Sequence, residues 1–167
     1  MECIDTKIKD VKLIKPKIYS DSRGFFLETY QKKHFKDIGI PYDFIQDNHS
    51  RSKKNTLRGL HYQLDKMQGK LVRVSNGCVY DVAVDMREGS PTFKEHVSFI
   101  LSDENQFQLF IPPGFAHGFC VISDEADFEY KCTEFYNPNS EVGIMWDDPD
   151  LEIDWPINDP VVSDKDN

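Results

Sequence analysis

Hydrophobic and polar residues alternate over short stretches of this chain, with the period of two that is typical of half-buried β-strands. In residues 78–86, Tyr80, Val82 and Val84 share one face of the predicted strand. Asp81 lies on the opposite face among small apolar residues, and we expect that face to line a cavity. Further strands are predicted around 44–50, 58–63, 70–75, 93–101, 107–111, 115–121 and 128–132.

Turn signals separate these strands at fairly regular intervals, and residues 7–19 predict an edge strand near the N-terminus. Phe35 and Ile38 have helical spacing before Gly39, which predicts one short helix with a glycine C-cap. Many short strands with so little helix indicate an all-β fold, an antiparallel sandwich or barrel. No repeat or linker divides residues 1–167, which we expect to form a single domain.

The last thirty residues are irregular, because four prolines interrupt them. Trp146 and Trp155 are the large apolar side chains of this segment, and we expect them to anchor it. The sequence therefore predicts a C-terminal arm that lies over the barrel.

Charge and cysteine content narrow the range of partners. The net charge of −9 argues against nucleic acid, since binding to a phosphate backbone requires a broad positive field. The four cysteines show neither a disulfide framework nor zinc spacing, which favours a reducing, cytoplasmic location. No apolar run approaches membrane-spanning length, and the N-terminus has no leader pattern, so we expect no membrane association and no export.

The hexapeptide at residues 58–63, RGLHYQ, carries the first candidate for chemistry. Strict alternation would place Gly59, His61 and Gln63 on one face and Arg58, Leu60 and Tyr62 on the other. A histidine held by a strand has a fixed direction, as a catalytic base requires. The hexapeptide alone is equally compatible with a structural histidine satisfied by the backbone.

A second pattern, PGFAHGF at residues 113–119, resembles the second motif of cupins, which are small jelly-roll barrels with an interior active site. Metal-binding cupins carry a His-x-His pair in their first motif. Here the corresponding stretch has only His61, followed by Gln63, and this makes a poor set of ligands for a divalent metal. We therefore expect a site without metal.

Six segments together resemble, in order, the motifs of the dTDP-4-dehydrorhamnose 3,5-epimerase family. Six collinear matches that span nearly the whole chain are far more specific than any one of them. The segments are DSRGFFLE at 21–28, FIQDNHS at 44–50, LRGLHYQ at 57–63, QGKLVR at 68–73, IPPGFAHGF at 111–119 and DWP at 154–156.

The resemblance implies an antiparallel, cupin-like jelly-roll barrel with one or two short helices and an irregular C-terminal arm. It also implies a homodimer that acts on a nucleotide-activated 4-keto-6-deoxyhexose without a cofactor. By the same resemblance, His61 is similar to the general base and Tyr130 to the proton donor, and Lys70 matches a position that contacts or supports the substrate. The chemistry of a 4-keto sugar suits Lys70 to stabilising the developing oxyanion. Asp166 resembles the carboxylate that pairs with the base, and the chain ends one residue later, so this pairing requires that the arm be held down.

The family's substrate-binding positions fall on both halves of this chain. They match Arg23, Glu28, Gln46, Asp47, Asn48, Arg58, His117, Tyr136, Glu141 and Lys165. Three other functions stay open at this point: an epimerase of one carbon or a ketoisomerase, a non-catalytic sugar-nucleotide binder, and a metal-dependent cupin oxygenase. Tyr130 and Tyr136 could also be ordinary core aromatics.

Overall fold

The computed structural model describes residues 1–166, in which it has thirteen β-strands and one α-helix. The helix α1 spans Lys32–Asp37. The strands are β1 Glu2–Asp5, β2 Lys12–Lys15, β3 Ile18–Asp21, β4 Gly24–Leu27, β5 Gln46–Lys53, β6 Leu57–Gln63, β7 Lys70–Asn76, β8 Cys78–Asp85, β9 His96–Ser102, β10 Gln108–Ile111, β11 Phe115–Val121, β12 Glu125–Cys132 and β13 Glu141–Gly143.

Two antiparallel sheets form the body of the protein. One sheet has the order β1-β2-β10-β7-β12-β5 and the other the order β13-β6-β11-β8-β9. Strands β3 and β4 form a separate hairpin, with Asp21 opposite Gly24 at its turn. The predicted all-β, antiparallel jelly-roll class is confirmed.

Three apolar clusters hold these layers together. The central cluster lies between the sheets and includes Val72, Ala83, Phe119 and Phe128. Burial of such side chains contributes roughly 1.5–3 kcal/mol each, and is the main stabilising term. The predicted alternation on β8 is confirmed, since its two faces pack in different clusters.

The other two clusters cover the outer faces of the sheets. Helix α1 packs Phe35 on the six-stranded sheet, and Gly39 follows the helix with a φ of 87°, as the C-cap prediction requires. The C-terminal arm covers the five-stranded sheet with Leu151 and Trp155. The Trp155 indole also donates to the backbone oxygen of Trp146 at 2.7 Å, so the predicted arm and its anchors are confirmed.

Two strand predictions were wrong at their edges. The edge strand of the six-stranded sheet is β1, because β2 pairs with both β1 and β10. Strand β5 continues to Lys53, three residues beyond the predicted strand at 44–50. The reason is that Arg51 and Asp127 form an ion pair on the outer face, with Nη2 and Oδ2 2.7 Å apart. Asp127 is therefore buried beneath this ion pair.

The alternation predicted for β6 was also wrong, because the strand contains a bulge. His61 pairs with His117, but Arg58 pairs with Phe119, so β6 has one residue more than β11 over this span. The extra residue turns Arg58 to the face of His61, while Leu57 and Leu60 both pack in the outer cluster. The bulge thus places a cation on the same face of β6 as the histidine.

Within residues 1–166, no helix is long and apolar enough to cross a membrane.

Candidate active site

The space between the two sheets contains a cavity of about 300 Å³. Seven of the residues predicted for the site line this cavity. They lie on four strands and on the C-terminal arm. The lining residues are Ser50, Arg58, His61, Lys70, His117, Phe119, Phe128, Tyr130, Ser163, Lys165 and Asp166.

His61 lies on β6 with 21% of its side chain exposed. Its Nε2 donates a hydrogen bond to Oδ1 of Asp166 at 2.5 Å. Burial lowers the pKa of His61, and the Asp166 carboxylate opposes this effect. Because Nε2 carries the proton of this hydrogen bond, Nδ1 of the neutral ring is unprotonated and keeps its lone pair. The pair therefore holds a neutral imidazole in one tautomer, ready to accept a proton.

The C-terminal arm brings Asp166 to His61. Backbone hydrogen bonds tie Val161 to both sides of the turn before β6, from its N to Asn55 O at 2.8 Å and to its O from Leu57 N at 3.0 Å. The Ser163 hydroxyl then donates to Oδ2 of Asp166 at 3.0 Å. The carboxylate is 95% buried, with 5% of the side chain exposed, so the arm is held down as the pairing requires.

Two cations in the cavity have no carboxylate partner among residues 1–166. Lys70 Nζ lies 3.5 Å from the backbone oxygen of His61, and Arg58 Nε donates to the Ser52 hydroxyl at 3.0 Å. Burial lowers the pKa of Lys70, because the interior disfavours its charged form. These cations are therefore available to bind an anion or an oxygen that develops negative charge.

Tyr130 and Tyr136 differ in their surroundings. Tyr130 lines the cavity beside Phe128, and burial raises the pKa of its phenol. Tyr136 is half exposed, and its hydroxyl donates to Oε2 of Glu141 at 2.9 Å. Tyr130 thus presents a protonated hydroxyl to the cavity, whereas the hydroxyl of Tyr136 is already engaged.

His117 lies in a buried pair with an acid. Its Nε2 donates to Oδ2 of Asp81 at 2.9 Å, and its ring stacks on Phe128. The other oxygen of Asp81 is buried without a hydrogen-bond partner in the described part of the chain. Asp81 faces the interior, as the alternation along β8 predicted. Its hydrogen bond orients the ring of His117, which lines the cavity.

Gln46 and Asn48 lie beside the cavity on the inner face of β5. Gln46 accepts a hydrogen bond from the backbone N of Tyr136 at 3.0 Å, and it donates to Asn48 at 3.1 Å. Asn48 in turn donates to the sulfur of Cys132 at 3.6 Å. These amides link the β12 end of the site to the segment that carries Tyr136.

Seven predicted residues do not line this cavity, and three of them also lie away from its edge. Asp47 points to the outer face of β5, where both its carboxylate oxygens accept from Lys131 at 2.9 Å. Arg23 lies at the turn of the β3–β4 hairpin, paired with Asp21 at 2.6 Å. Glu28 pairs with His34 at 3.0 Å. The structure of one chain does not bring these three to His61.

The cavity also contains residues that the sequence analysis did not single out. Ser50, Phe119, Phe128 and Ser163 line it. Alternation along a strand was the available signal for three of them, because Ser50 follows Asn48 by two positions and the two phenylalanines flank His117 and Tyr130 in the same way. Ser163 lies on the arm, where no periodicity exists.

In the region the structure describes, no three His, Cys, Asp or Glu side chains are grouped so as to hold a metal ion. The cavity does combine a base, an acid and two cations. Such a set can remove a proton next to a carbonyl group and stabilise the enolate that results.

Comparisons with known proteins agree with this chemistry. The sequence model of the family described as dTDP-4-dehydrorhamnose 3,5-epimerase matches residues 5–167. Two curated relatives of that name are 54% identical over 99% of this chain. The Shigella flexneri protein is covered over 93% of its length, whereas the chain spans about half (51%) of the Neisseria gonorrhoeae protein.

A crystal structure from Legionella pneumophila is similar over 99% of this chain and 89% of its own, with a TM-score of 0.96 and 56% identity. That protein is described as a dTDP-6-deoxy-D-glucose-3,5-epimerase in complex with dTDP-4-keto-L-rhamnose. The family match extends over nearly all residues, and the cavity contains seven of the residues that the resemblance predicted for the site. The chain belongs to the dTDP-4-dehydrorhamnose 3,5-epimerase family.

Proposed function

We propose that this protein inverts C3 and C5 of dTDP-4-dehydro-6-deoxy-D-glucose and so forms dTDP-4-dehydro-L-rhamnose. Membership of the family supports the proposal, and one observation carries it. His61, bound to Asp166 through Nε2, lines the same cavity as Lys70, which has no ion pair within residues 1–166. A base next to an uncommitted cation suits the removal of a proton beside a ketone.

The 4-keto group makes both protons acidic, because C3 and C5 are its neighbours. In the proposed reaction, Nδ1 of His61 takes the proton from the carbon, and the electron pair moves onto the C4 oxygen. Lys70 stabilises this enolate, a contribution of about 2.7–4 kcal/mol for one donor in an enclosed site. Asp166 stabilises the imidazolium that forms.

Inversion requires that the new proton arrive from the opposite face. Tyr130 is the proposed acid, because its raised pKa keeps the phenol protonated and its hydroxyl has no hydrogen-bond partner in the described chain. Before the second carbon reacts, His61 releases its proton to water and the Tyr130 phenolate takes up a proton from water. Because the base, the acid and the cation are all side chains, the proposed reaction uses no cofactor and no metal.

Substrate binding completes the proposal. Arg58 and His117 are suited to the diphosphate, and the amides of Gln46 and Asn48 are suited to hydrogen bonds with the nucleoside. Arg23 and Glu28 lie outside the cavity of their own chain, and we propose that they reach the cavity of a second subunit in a homodimer. The hairpin that carries Arg23 also exposes Tyr19, Phe25 and Phe26 by 54–68%, as expected of an interface.

We also propose a cytoplasmic location. The four cysteines are free, and burial raises the pKa of Cys120 and Cys132 to about 11, so both are unreactive thiols suited to a reducing compartment.

Turnover of dTDP-4-dehydro-6-deoxy-D-glucose, coupled to an NADPH-dependent reductase of the product, tests the proposed base. His61→Asn should lower kcat roughly 100- to 10,000-fold, since it removes the general base. His49→Asn is the matched control, because His49 pairs with Asp127 on the outer face of β5 and should leave kcat unchanged. Equal turnover in wild type and His61→Asn would exclude His61 as the base.

A further inference from the structure

A network of charged groups joins the C-terminal arm to β13 at the edge of the cavity. Lys165 Nζ forms an ion pair with Oε2 of Glu141, the same oxygen that accepts from Tyr136. Glu141 is fixed by the pairing of β13 with β6, where it lies opposite Gln63, and only 14% of its side chain is exposed. Lys165 is thus held by a rigid partner.

The position of Lys165 along the arm is what gives this ion pair its significance. The arm is anchored by the backbone at Val161, and Asp166 contacts His61 five residues later. In the last turn, the local bonds that hold Asp166 come from within the arm itself. The Asp166 backbone N donates to the Ser163 carbonyl oxygen, and the Ser163 hydroxyl donates to Oδ2 of Asp166. Lys165 is the neighbour of Asp166 that ties this turn to the sheet.

From this geometry we infer that the Lys165–Glu141 ion pair is a latch that places Asp166 on Nε2 of His61. Lys165 is then a positioning residue of the proposed epimerase, and Glu141 is its anchor. The expected effect on kcat rests on the proposed function, whereas the expected effect on the position of Asp166 does not. A misplacement of about 1 Å at a catalytic group can cost roughly 100-fold in rate, so the latch acts on kcat as well as on binding.

This positioning role and a direct contact between Lys165 and the substrate have different kinetic consequences. If Lys165 only bound substrate, Lys165→Met would raise KM, and its effect would multiply with that of Asp166→Asn. If Lys165 acts through Asp166, the variant lowers kcat, and it adds nothing once Asp166→Asn is present. Burial lowers the pKa of Lys165, and the Glu141 carboxylate raises it. The pKa is raised overall, so Lys165 stays charged at neutral pH.

Two measurements on five single variants and one double variant test the latch. Proton NMR of the substrate-free protein, labelled with ¹⁵N at histidine, detects the downfield N–H resonance of a hydrogen-bonded imidazole, and His61→Asn identifies the His61 signal by its loss. We expect Lys165→Arg to keep this signal, and Lys165→Met and Asp166→Asn to lose it. Lys94→Met is the matched control, because the Lys94 side chain is about as exposed as that of Lys165 (43% against 52%) and pairs with Asp150, away from the cavity.

Kinetics on the same proteins give the second measurement. We expect Lys165→Met to lower kcat roughly 100-fold, with no further loss in the Lys165→Met/Asp166→Asn double variant. A Lys165→Met protein that keeps both the His61 signal and kcat while KM rises would overturn the latch. If the wild-type protein turned over no substrate, the proposed function would fail, and the NMR signal of the free protein would still decide the latch.

Discussion

At the scale of residues, the ionisation of His61 decides the pH range in which the site can work. Burial lowers its pKa, and the hydrogen bond to Asp166 opposes the shift without cancelling it. A lowered pKa means that the neutral, proton-accepting form persists to more acidic pH than in an exposed histidine.

We therefore predict that kcat/KM falls on the acid side with a midpoint below about 6.5, the ordinary value for histidine. Asp166→Asn removes an interaction that raises the pKa, so it should move this midpoint to still lower pH and reduce the plateau. A pH profile of kcat/KM for the two proteins measures both effects. A midpoint above neutrality in the wild type, or an upward shift in the variant, would contradict this electrostatic account.

Most single residues of the cavity were predictable from the sequence, because strands alternate and motifs are local. Asp47 shows where the motif carried the prediction too far. It lies between Gln46 and Asn48 in FIQDNHS, but the period of two turns it to the outer face, where it binds Lys131. Alternation of faces along the strand, applied within the motif, would have assigned Asp47 to the outer face and left it out of the predicted cavity.

At the scale of elements, the bulge in β6 decides which residues meet in the cavity. Gly59 has a φ of 109°, and a Cβ atom there would lie 2.5 Å from the backbone oxygen of His117 and 2.6 Å from Cα of Gly118. No side chain fits between β6 and β11 at this point. The glycine therefore permits the bulge that turns Arg58 toward His61.

Gly59→Ala should lower the free energy of unfolding by more than about 1 kcal/mol, since it combines a positive φ with a steric overlap. Gly89→Ala is the matched control, because Gly89 has a φ of 82° but no atom within 4 Å of the added Cβ. Urea denaturation of both variants separates the cost of the φ from the cost of the contact. Equal destabilisation of the two proteins would mean that the contact with β11 is unimportant.

The sequence could not have predicted this bulge. A bulge depends on the register between two strands that are far apart in the chain, and RGLHYQ by itself has an unbroken alternation. Strand existence, the short helix and the covering arm were predictable, because periodicity and turn residues are local signals. The order of strands within each sheet was not.

At the scale of the whole molecule, one chain contains the proposed base and acid, but its Arg23 and Glu28 lie elsewhere. The hairpin of β3 and β4 pairs with no other strand of the described chain and presents aromatic side chains to the outside. A second subunit that receives this hairpin would account for both the exposed apolar surface and the distant arginine.

Mixing two inactive proteins tests whether Arg23 acts across the proposed dimer. In a heterodimer of His61→Asn and Arg23→Ala chains, one site has both defects and the other has none. Statistical mixing should then restore up to about a quarter of wild-type activity, because half the dimers are mixed and one site in two is intact. Unmixed samples of each variant are the controls. No recovery, with heterodimers present by mass spectrometry, would place Arg23 in the site of its own chain or outside it.

The proposed reaction requires that this protein remove protons at both C3 and C5 of a 4-keto sugar. Proton NMR of dTDP-4-dehydro-6-deoxy-D-glucose, incubated with the protein in deuterated water, measures this directly. We predict that the signals at C3 and C5 both disappear, and that His61→Asn abolishes the loss. Loss at a single carbon would contradict double inversion and indicate a one-carbon epimerase or ketoisomerase, and persistence of both signals would contradict proton abstraction from this sugar.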